Sequence, residues 1–141
     1  MLNAKSFVPR DTEATKGVAT ATKFPSPIPG YKEQVFFHDL AADDKGIASV
    51  LLVNKKLELG LCIQYRQKEL PKFIQWKMVG VGEYVLGLEP ANCWVQGRAK
   101  ERERGTLQFL EPGERREFIV HIGILEGGNL IEQLTRENNL R

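Results

Sequence analysis

An alternating segment between Leu57 and Tyr65 is the feature that most constrains the fold of this chain. Its apolar residues occupy every second position, and small or polar residues lie between them: Leu57, Leu59, Leu61, Ile63 and Tyr65 alternate with Glu58, Gly60, Cys62 and Gln64. Successive side chains of a β-strand point to opposite faces of a sheet. This period of two therefore predicts a strand with one apolar face.

The same kind of pattern continues along most of the chain. From Glu33 onward, turn signals recur about every 8 to 14 residues, which is typical of an all-β protein. The predicted strands span residues 33–39, 47–53, 57–65, 73–78, 82–89, 105–110 and 118–124, and a short helix is predicted at 129–134. About seven antiparallel strands without intervening helices predict an antiparallel β-sandwich.

The first 30 residues differ in composition from the rest. They are rich in Thr, Ala, Ser and Pro, and Pro25, Pro27 and Pro29 alternate up to Gly30. Such spacing favours an extended, non-helical backbone. We predict an extended N-terminal arm at residues 1–30, followed by a β-sandwich domain at residues 31–141.

Charge and composition exclude several classes of function. A net charge of +2 and a pI near 8.6 give no support for binding to nucleic acid or to an anionic membrane. No apolar run is as long as a membrane span, and the amino terminus lacks the apolar core of a signal peptide. Cys62 and Cys93 lie far apart in the sequence without CxxC spacing, which predicts neither a disulfide framework nor a zinc site and fits a reducing cytoplasm. Two distant histidines, with no HExxH motif, give no support for metal catalysis.

Glu89 is the strongest candidate for a catalytic residue. It ends an otherwise apolar predicted strand, and Pro90 follows at once and fixes the strand end. A carboxylate in such a place must be hydrogen-bonded, paired with a cation, or held at a raised pKa for proton transfer. The alternative is a strand-end glutamate that faces solvent.

Two further segments carry candidate ligand-binding residues. In the predicted strand 33–39, alternation puts Gln34, Phe36 and His38 on one face, and Glu33, Val35, Phe37 and Asp39 on the other. A polar–aromatic–polar face suits a sugar, whose hydroxyls need hydrogen bonds and whose C–H face packs on an aromatic ring. Trp76 offers a stacking surface, with Gln75 or Lys77 beside it as a hydrogen-bonding group. The alternatives are an edge strand with polar residues in water, and a Trp76 that belongs to the core or its rim.

Residues 97–105 form a mixed-charge run between two glycines. Because acids and bases alternate there, the run is more typical of a solvated hairpin loop than of a phosphate-binding track. Arg98 is the residue of this run closest in sequence to Glu89, so it could reach a ligand or pair with Glu89.

Taken in order, residues 29–39, 70–77, 82–92, 97–98 and 110–114 resemble the aldose 1-epimerase (galactose mutarotase-like) superfamily. They are most similar to its poorly characterised bacterial branch of unknown function. The resemblance implies a large antiparallel β-sandwich (a supersandwich) with a sugar in a concave groove, and it implies interconversion of sugar anomers without a cofactor or a metal. It places Glu89 at the general base and Glu33 and Gln34 near a sugar-binding acidic position, where the superfamily usually shows Asp followed by His.

Superfamily members are about twice the length of this chain, and their acid histidine precedes the region that the chain covers. The chain therefore resembles the C-terminal half of such a protein, and His38 is the local candidate for a replacement acid. Half a sandwich exposes apolar faces, so we predict a homo-oligomer, motivated by the apolar strand at 57–65. The alternatives are a non-catalytic carbohydrate-binding protein and a structural or assembly subunit, either of them inactive because that histidine lies outside the chain.

Overall fold

The structure, a computed structural model, describes residues 4–137. In chain order its elements are β1 (Ala4–Pro9), α1 (Thr12–Lys16), a 3₁₀ turn (Val18–Thr20), β2 (Gln34–Leu40), β3 (Ile47–Asn54), β4 (Leu59–Arg66), β5 (Lys72–Val79), β6 (Tyr84–Ala91), α2 (Arg98–Glu103), β7 (Val120–Glu126) and α3 (Gly128–Glu137).

The strands form two antiparallel sheets that pack against each other. One sheet has the order β1-β2-β5-β6 and the other has the order β3-β4-β7. Side chains from both sheets build the main core: Leu40, Ala48, Val50, Ile63, Tyr65, Leu70 and Phe73. The rings of Tyr65 and Phe73 stack across the interface, with 6.4 Å between their centroids. This architecture confirms the predicted antiparallel β-sandwich.

Strand pairing decides which residues share a face of the four-stranded sheet. We call the face that carries Phe73 the inner face, because it meets the three-stranded sheet, and we call the opposite face the outer face. Pairing of β2 with β5 and of β5 with β6 puts Gln34, Phe36, His38, Gln75, Lys77 and Leu88 on the inner face, and Val35, Phe37, Ile74, Trp76, Gly87 and Glu89 on the outer face.

The N-terminal segment belongs to the sandwich and is partly helical. β1 pairs with β2 at one edge of the four-stranded sheet. Asp11 caps α1 by accepting the backbone N–H of Ala14 at 2.9 Å, and Ala14 and Ala21 pack on Phe36. The extended backbone predicted for residues 12–20 was therefore wrong, because the cap and the small apolar side chains stabilise helical turns there. A division between an arm and a domain at residue 30 stays a prediction.

Residues 97–110 also differ from the prediction of a hairpin loop followed by a strand. They contain α2, and Gly105, just after the C-cap residue Arg104, has a left-handed conformation with φ of 70°. The backbone carbonyl of Glu101 accepts the N–H groups of Thr106 and Leu107, and its buried carboxylate accepts the Thr106 hydroxyl at 2.8 Å. The predicted strand at 105–110 is absent because its first amides bond to the helix instead of to a neighbouring strand.

The predicted C-terminal helix is present. α3 places Ile131 against Leu51 and Leu125, on the side of the three-stranded sheet that faces away from the main core. This small second cluster covers part of that sheet from outside.

Candidate functional site

The four-stranded sheet separates the predicted site residues into two groups. Trp76 and Glu89 lie on the outer face, and Glu33 joins them through a hydrogen bond to Trp76. Gln34, His38 and Lys77 lie on the inner face. The structure therefore does not bring all the predicted residues into one groove.

Glu89 lies half-buried on the outer face, and its carboxylate has room because residue 87 is a glycine. Glu89 pairs with Ile74, and Gly87 pairs with Trp76. A Cβ added at Gly87 would collide with Oε1 of Glu89 and would lie 3.3 Å from Cβ of Trp76. No hydrogen bond or ion pair to the Glu89 carboxylate is formed by any residue in the range 4–137. Both of its oxygens are therefore free to accept hydrogen bonds from a ligand.

A hydrogen-bonded network holds the indole side chain of Trp76 in place. Its indole Nε1 donates to Glu33 Oε2 at 2.7 Å, and Nη2 of Arg10 donates to Glu33 Oε1 at 3.0 Å. Nε of Arg10 also donates to Asp11 at 2.7 Å. The hydrogen bond from Arg10, and then that from Trp76, lowers the pKa of Glu33. Glu33 is therefore an ionised acceptor that holds the indole in place, and it is not suited to donate a proton at neutral pH.

An open cleft of about 540 Å³ lies between the β1–β2 edge and the segment that follows β6. The rings of Phe37 and Trp94 are in contact, with 4.7 Å between their centroids, and Nζ of Lys72 lies 4.8 Å from the centre of the Trp94 ring. Asp39 and Arg104 also line the cleft. This combination of aromatic faces and hydrogen-bonding groups can accommodate a polar ring.

The cleft and Glu89 lie along the same face. Phe37 and Glu89 both pair with Ile74, from opposite sides, so about 10 Å, or two strand spacings, separate their backbones. Asp39 was not among the binding residues predicted from the sequence. A signal existed for Asp39, because alternation had already placed it on the face opposite His38.

The inner-face residues hold the N-terminal segment against the sheet. Lys77 is 1 % exposed, and its Nζ donates to the backbone carbonyls of Thr20 and Lys23, both at 2.7 Å. Burial lowers the pKa of Lys77. Gln34 is also buried, and its Oε1 accepts the Tyr31 hydroxyl at 2.7 Å. In this arrangement both polar groups serve the packing of residues 17–31 and face no open cleft.

His38 is likewise closed off from Glu89. It is one of the residues that line the cleft, but the residue is only 2 % exposed and its ring packs between Phe7 and Phe73 on the inner face. Its Nε2 lies 2.8 Å from Oε1 of Gln75, whose Nε2 donates to the carbonyl of Ala21. The sheet backbone lies between His38 and the outer face. His38 therefore does not occupy the position of an acid opposite Glu89, contrary to the suggestion that it could replace the missing one.

The environment of His38 leads to a pH-dependence prediction. Burial lowers its pKa, and its Nδ1 has no hydrogen-bond partner in the described structure. His38 therefore takes up a proton at lower pH in the folded protein than in the unfolded chain, where its pKa is about 6.5, so the free energy of unfolding should fall as pH drops below about 6.5. The loss should reach at most about 1.4 kcal/mol per pH unit.

Urea denaturation at pH 7.5 and 5.5 measures this effect. The difference between the two pH values should shrink in His38→Gln and persist in His121→Gln, because His121 is exposed. Carboxylates with lowered pKa values, such as Glu33, lose their stabilising effect only at more acidic pH. Equal pH dependence in the wild type and in His38→Gln would contradict the assignment.

Arg98 lies apart from Glu89 in its interactions. It is exposed at the first position of α2, and none of the ion pairs within residues 4–137 joins it to Glu89. Pairing of these two residues, which the sequence analysis considered, is thus not formed.

Three further observations concern metal binding, membrane crossing and disulfides. Within residues 4–137, no three His, Cys, Asp or Glu side chains are arranged so that they could hold a metal ion. Over the same range, no helix has both the length and the apolar character needed to cross a membrane. Both cysteines are free thiols.

The fold is shared with a known structure. A crystal structure described as a "putative aldose 1-epimerase" from Klebsiella pneumoniae subsp. pneumoniae superimposes with a TM-score of 0.91 at 23 % sequence identity. The match covers 99 % of this chain and 37 % of that one, so this chain spans little more than a third of the length of the Klebsiella protein. At this identity the likeness shows the fold alone, and it confirms the predicted aldose 1-epimerase-like architecture.

The family assignment comes from the sequence itself. No curated protein matches the chain. Residues 1–124 match a family described as Domain of unknown function (DUF4432). Because this match spans most of the chain, the protein belongs to the DUF4432 family.

Proposed function

We propose that this protein binds a sugar on the outer face of its four-stranded sheet and interconverts the anomers of that sugar, with Glu89 as the general base. The observation that carries the proposal is the unpartnered Glu89 carboxylate, which lies beside Gly87 and on the same face as Trp76. The likeness of the fold to that of an aldose 1-epimerase-like protein supports it.

The chemistry that we propose needs one base and one acid and no cofactor. The Glu89 carboxylate takes the proton of the C1 hydroxyl while an acid protonates the ring oxygen, and the C1–ring oxygen bond breaks to give the open aldehyde. Rotation about the C1–C2 bond and closure with reversed roles form the other anomer. Trp76 stacks on the C–H face of the sugar, and Glu33 keeps the indole in place.

One observation favours a second candidate function. Of the two histidines, His38 lies on the inner face and His121 lies on β7 in the other sheet, so neither stands opposite Glu89. Without a proton donor, the same face would bind a sugar but would not catalyse its anomerisation. We therefore keep a non-catalytic carbohydrate-binding protein as the alternative. We also propose that the protein is cytoplasmic and that it self-associates. A structural or assembly subunit is the third candidate function.

An anomerisation assay tests the proposal. Freshly dissolved α-glucose and α-galactose are followed by polarimetry or NMR in the presence of folded protein. A rate that rises in proportion to protein concentration supports the epimerase. Sugar binding without acceleration supports the carbohydrate-binding alternative, and the absence of both contradicts any sugar function of this chain.

The contribution of Trp76 can be measured by binding. If the sugar stacks on this indole, Trp76→Ala should weaken sugar affinity by about 1 kcal/mol, or roughly fivefold, in isothermal titration calorimetry. Trp94→Ala is the matched comparison, because Trp94 is the other tryptophan and lines the neighbouring cleft. A larger loss of sugar affinity in Trp94→Ala would indicate that the sugar binds in the cleft instead. Unchanged affinity in both variants would contradict aromatic stacking on this face.

A further inference from the structure

Strand β7 carries apolar side chains that no part of the described structure covers. Val120, Ile122 and Ile124 are 40 %, 67 % and 68 % exposed. Ile122 pairs with Ile63, which is 6 % exposed, so the two side chains lie on the same face of the three-stranded sheet. That face builds the main core over β3 and β4. The four-stranded sheet covers those two strands but leaves β7 open.

The loop before β7 and the start of β4 enlarge this surface. Arg116 Nη2 donates to the carbonyl of Phe109 at 3.0 Å, so the two limbs of the loop lie side by side. We define the β7 patch as seven exposed apolar residues: Leu59, Phe109, Leu110, Phe118, Val120, Ile122 and Ile124. The patch continues the main core outward instead of consisting of scattered surface residues.

The size of the β7 patch fits a dimer interface. With about 100 Å² for an aliphatic side chain and about 200 Å² for an aromatic one, the exposed fractions amount to roughly 500 Å² of apolar surface. A standard interface buries about 800 Å² on each partner, of which roughly 65 % is apolar in homodimers. The patch therefore supplies about the apolar area that a stable dimer needs from each copy.

The charges beside the β7 patch oppose self-association only weakly. Residues 110–119 carry three acids and two bases, and four of these charges pair within the chain, Arg115 with Glu117 and Arg116 with Glu114. The remaining acid, Glu111, gives each copy one net negative charge in this loop, so little like-charge repulsion builds up when two patches meet.

We propose that two copies of this chain pack on each other through the β7 patch about a twofold axis. Each copy then covers the open part of the other's core, as a self-complementary apolar patch does in an isologous dimer. This inference gives the proposed self-association a surface, and it does not depend on the sugar chemistry. Most of the apolar strand 57–65, which motivated the predicted oligomer, lies outside the patch: Leu59 belongs to it, but Ile63 and Tyr65 are buried within one chain.

Size-exclusion chromatography with light scattering, between about 1 and 100 µM protein, tests the proposal. The wild type should be a dimer whose mass stops at twice that of the chain. The double substitution Ile122→Glu and Ile124→Glu should weaken association by about 100-fold or more, because each change removes a buried aliphatic side chain from both copies. Its folding is checked by circular dichroism.

Val81→Glu combined with Val95→Glu is the matched control, since both valines are exposed but lie outside the β7 patch. This variant should dimerise like the wild type.

If the isoleucine variant does not fold, hydrogen exchange of the wild type decides instead, with the amides of 118–124 becoming more protected as protein concentration rises. A folded wild-type monomer at 100 µM would overturn the proposal, as would a dimer that survives the isoleucine changes or growth beyond two copies. If the protein is a monomer and binds a longer polypeptide of the same family, the β7 patch is the interface with that polypeptide and not with a second copy.

Discussion

Replacing Glu89 by glutamine should lower catalysed anomerisation at least 100-fold and leave the fold unchanged. Glutamine keeps the shape of the side chain but cannot take a proton from the C1 hydroxyl, and loss of a general base typically reduces rates by about 10²–10⁴. The polarimetric rate on α-glucose or α-galactose measures the change. Circular dichroism and urea denaturation confirm that Glu89→Gln is folded.

Glu83→Gln is the matched control for this prediction, because Glu83 is an exposed glutamate in the turn just before β6. It should retain the wild-type rate. A full rate in Glu89→Gln would show that another residue is the base.

Gly87→Ala tests the position of the carboxylate without removing it. The added methyl would collide with Oε1 of Glu89, which lies at the end of a flexible side chain and can move aside. Stability should therefore change by less than about 1 kcal/mol, while the rate falls by about 10- to 100-fold because the base is displaced. A wild-type rate in Gly87→Ala would mean that the carboxylate position seen beside this glycine is not the reactive one.

Phe73→Ala should lower the free energy of unfolding by about 3–5 kcal/mol, which is the usual cost of removing a buried phenylalanine. Phe73 is 1 % exposed and packs on Tyr65 across the two sheets and on His38 within its own sheet. Its removal leaves a cavity at the centre of the sandwich. For a domain whose total stability is typically about 5–15 kcal/mol, the loss is a large share.

Urea denaturation followed by tryptophan fluorescence measures this loss. Leu57→Ala provides the comparison, since Leu57 is 61 % exposed in the turn before β4 and should change stability by about 0.5 kcal/mol at most. All samples are compared at one protein concentration, because dimerisation would shift apparent stability. Equal destabilisation by the two substitutions would mean that the sheets do not meet at Phe73.

Local patterns in the sequence predicted most of the strands. Alternation at 57–65 corresponds to β4, at Leu59–Arg66, and alternation at 118–124 corresponds to β7. The short helices α1 and α2 were missed because five or six residues carry too little periodicity to distinguish them from loops. The segment 105–110 has the composition of a strand, but a strand also needs a neighbour to bond to, and Glu101 holds its first amides instead.

The candidate site was also predicted only in part, because local patterns do not record contacts between strands that are far apart in sequence. Alternation correctly placed Phe37 and His38 on opposite faces, since side chains of adjacent strand residues always diverge. Alternation within one strand does not tell which face meets the core. That choice placed His38 inside, beside Phe73, and left Glu89 and Trp76 outside.

The sequence by itself determined most of the strands of this protein, their apolar faces and its family resemblance, because these depend on the order of residues along the chain. Only the tertiary structure decided the sheet order, the pairing of Glu89 with Ile74 and of Gly87 with Trp76, and the exposure of Ile122 and Ile124. The physical reason is that hydrogen bonds and packing between strands far apart in sequence set these properties, and no local pattern records which strands become neighbours.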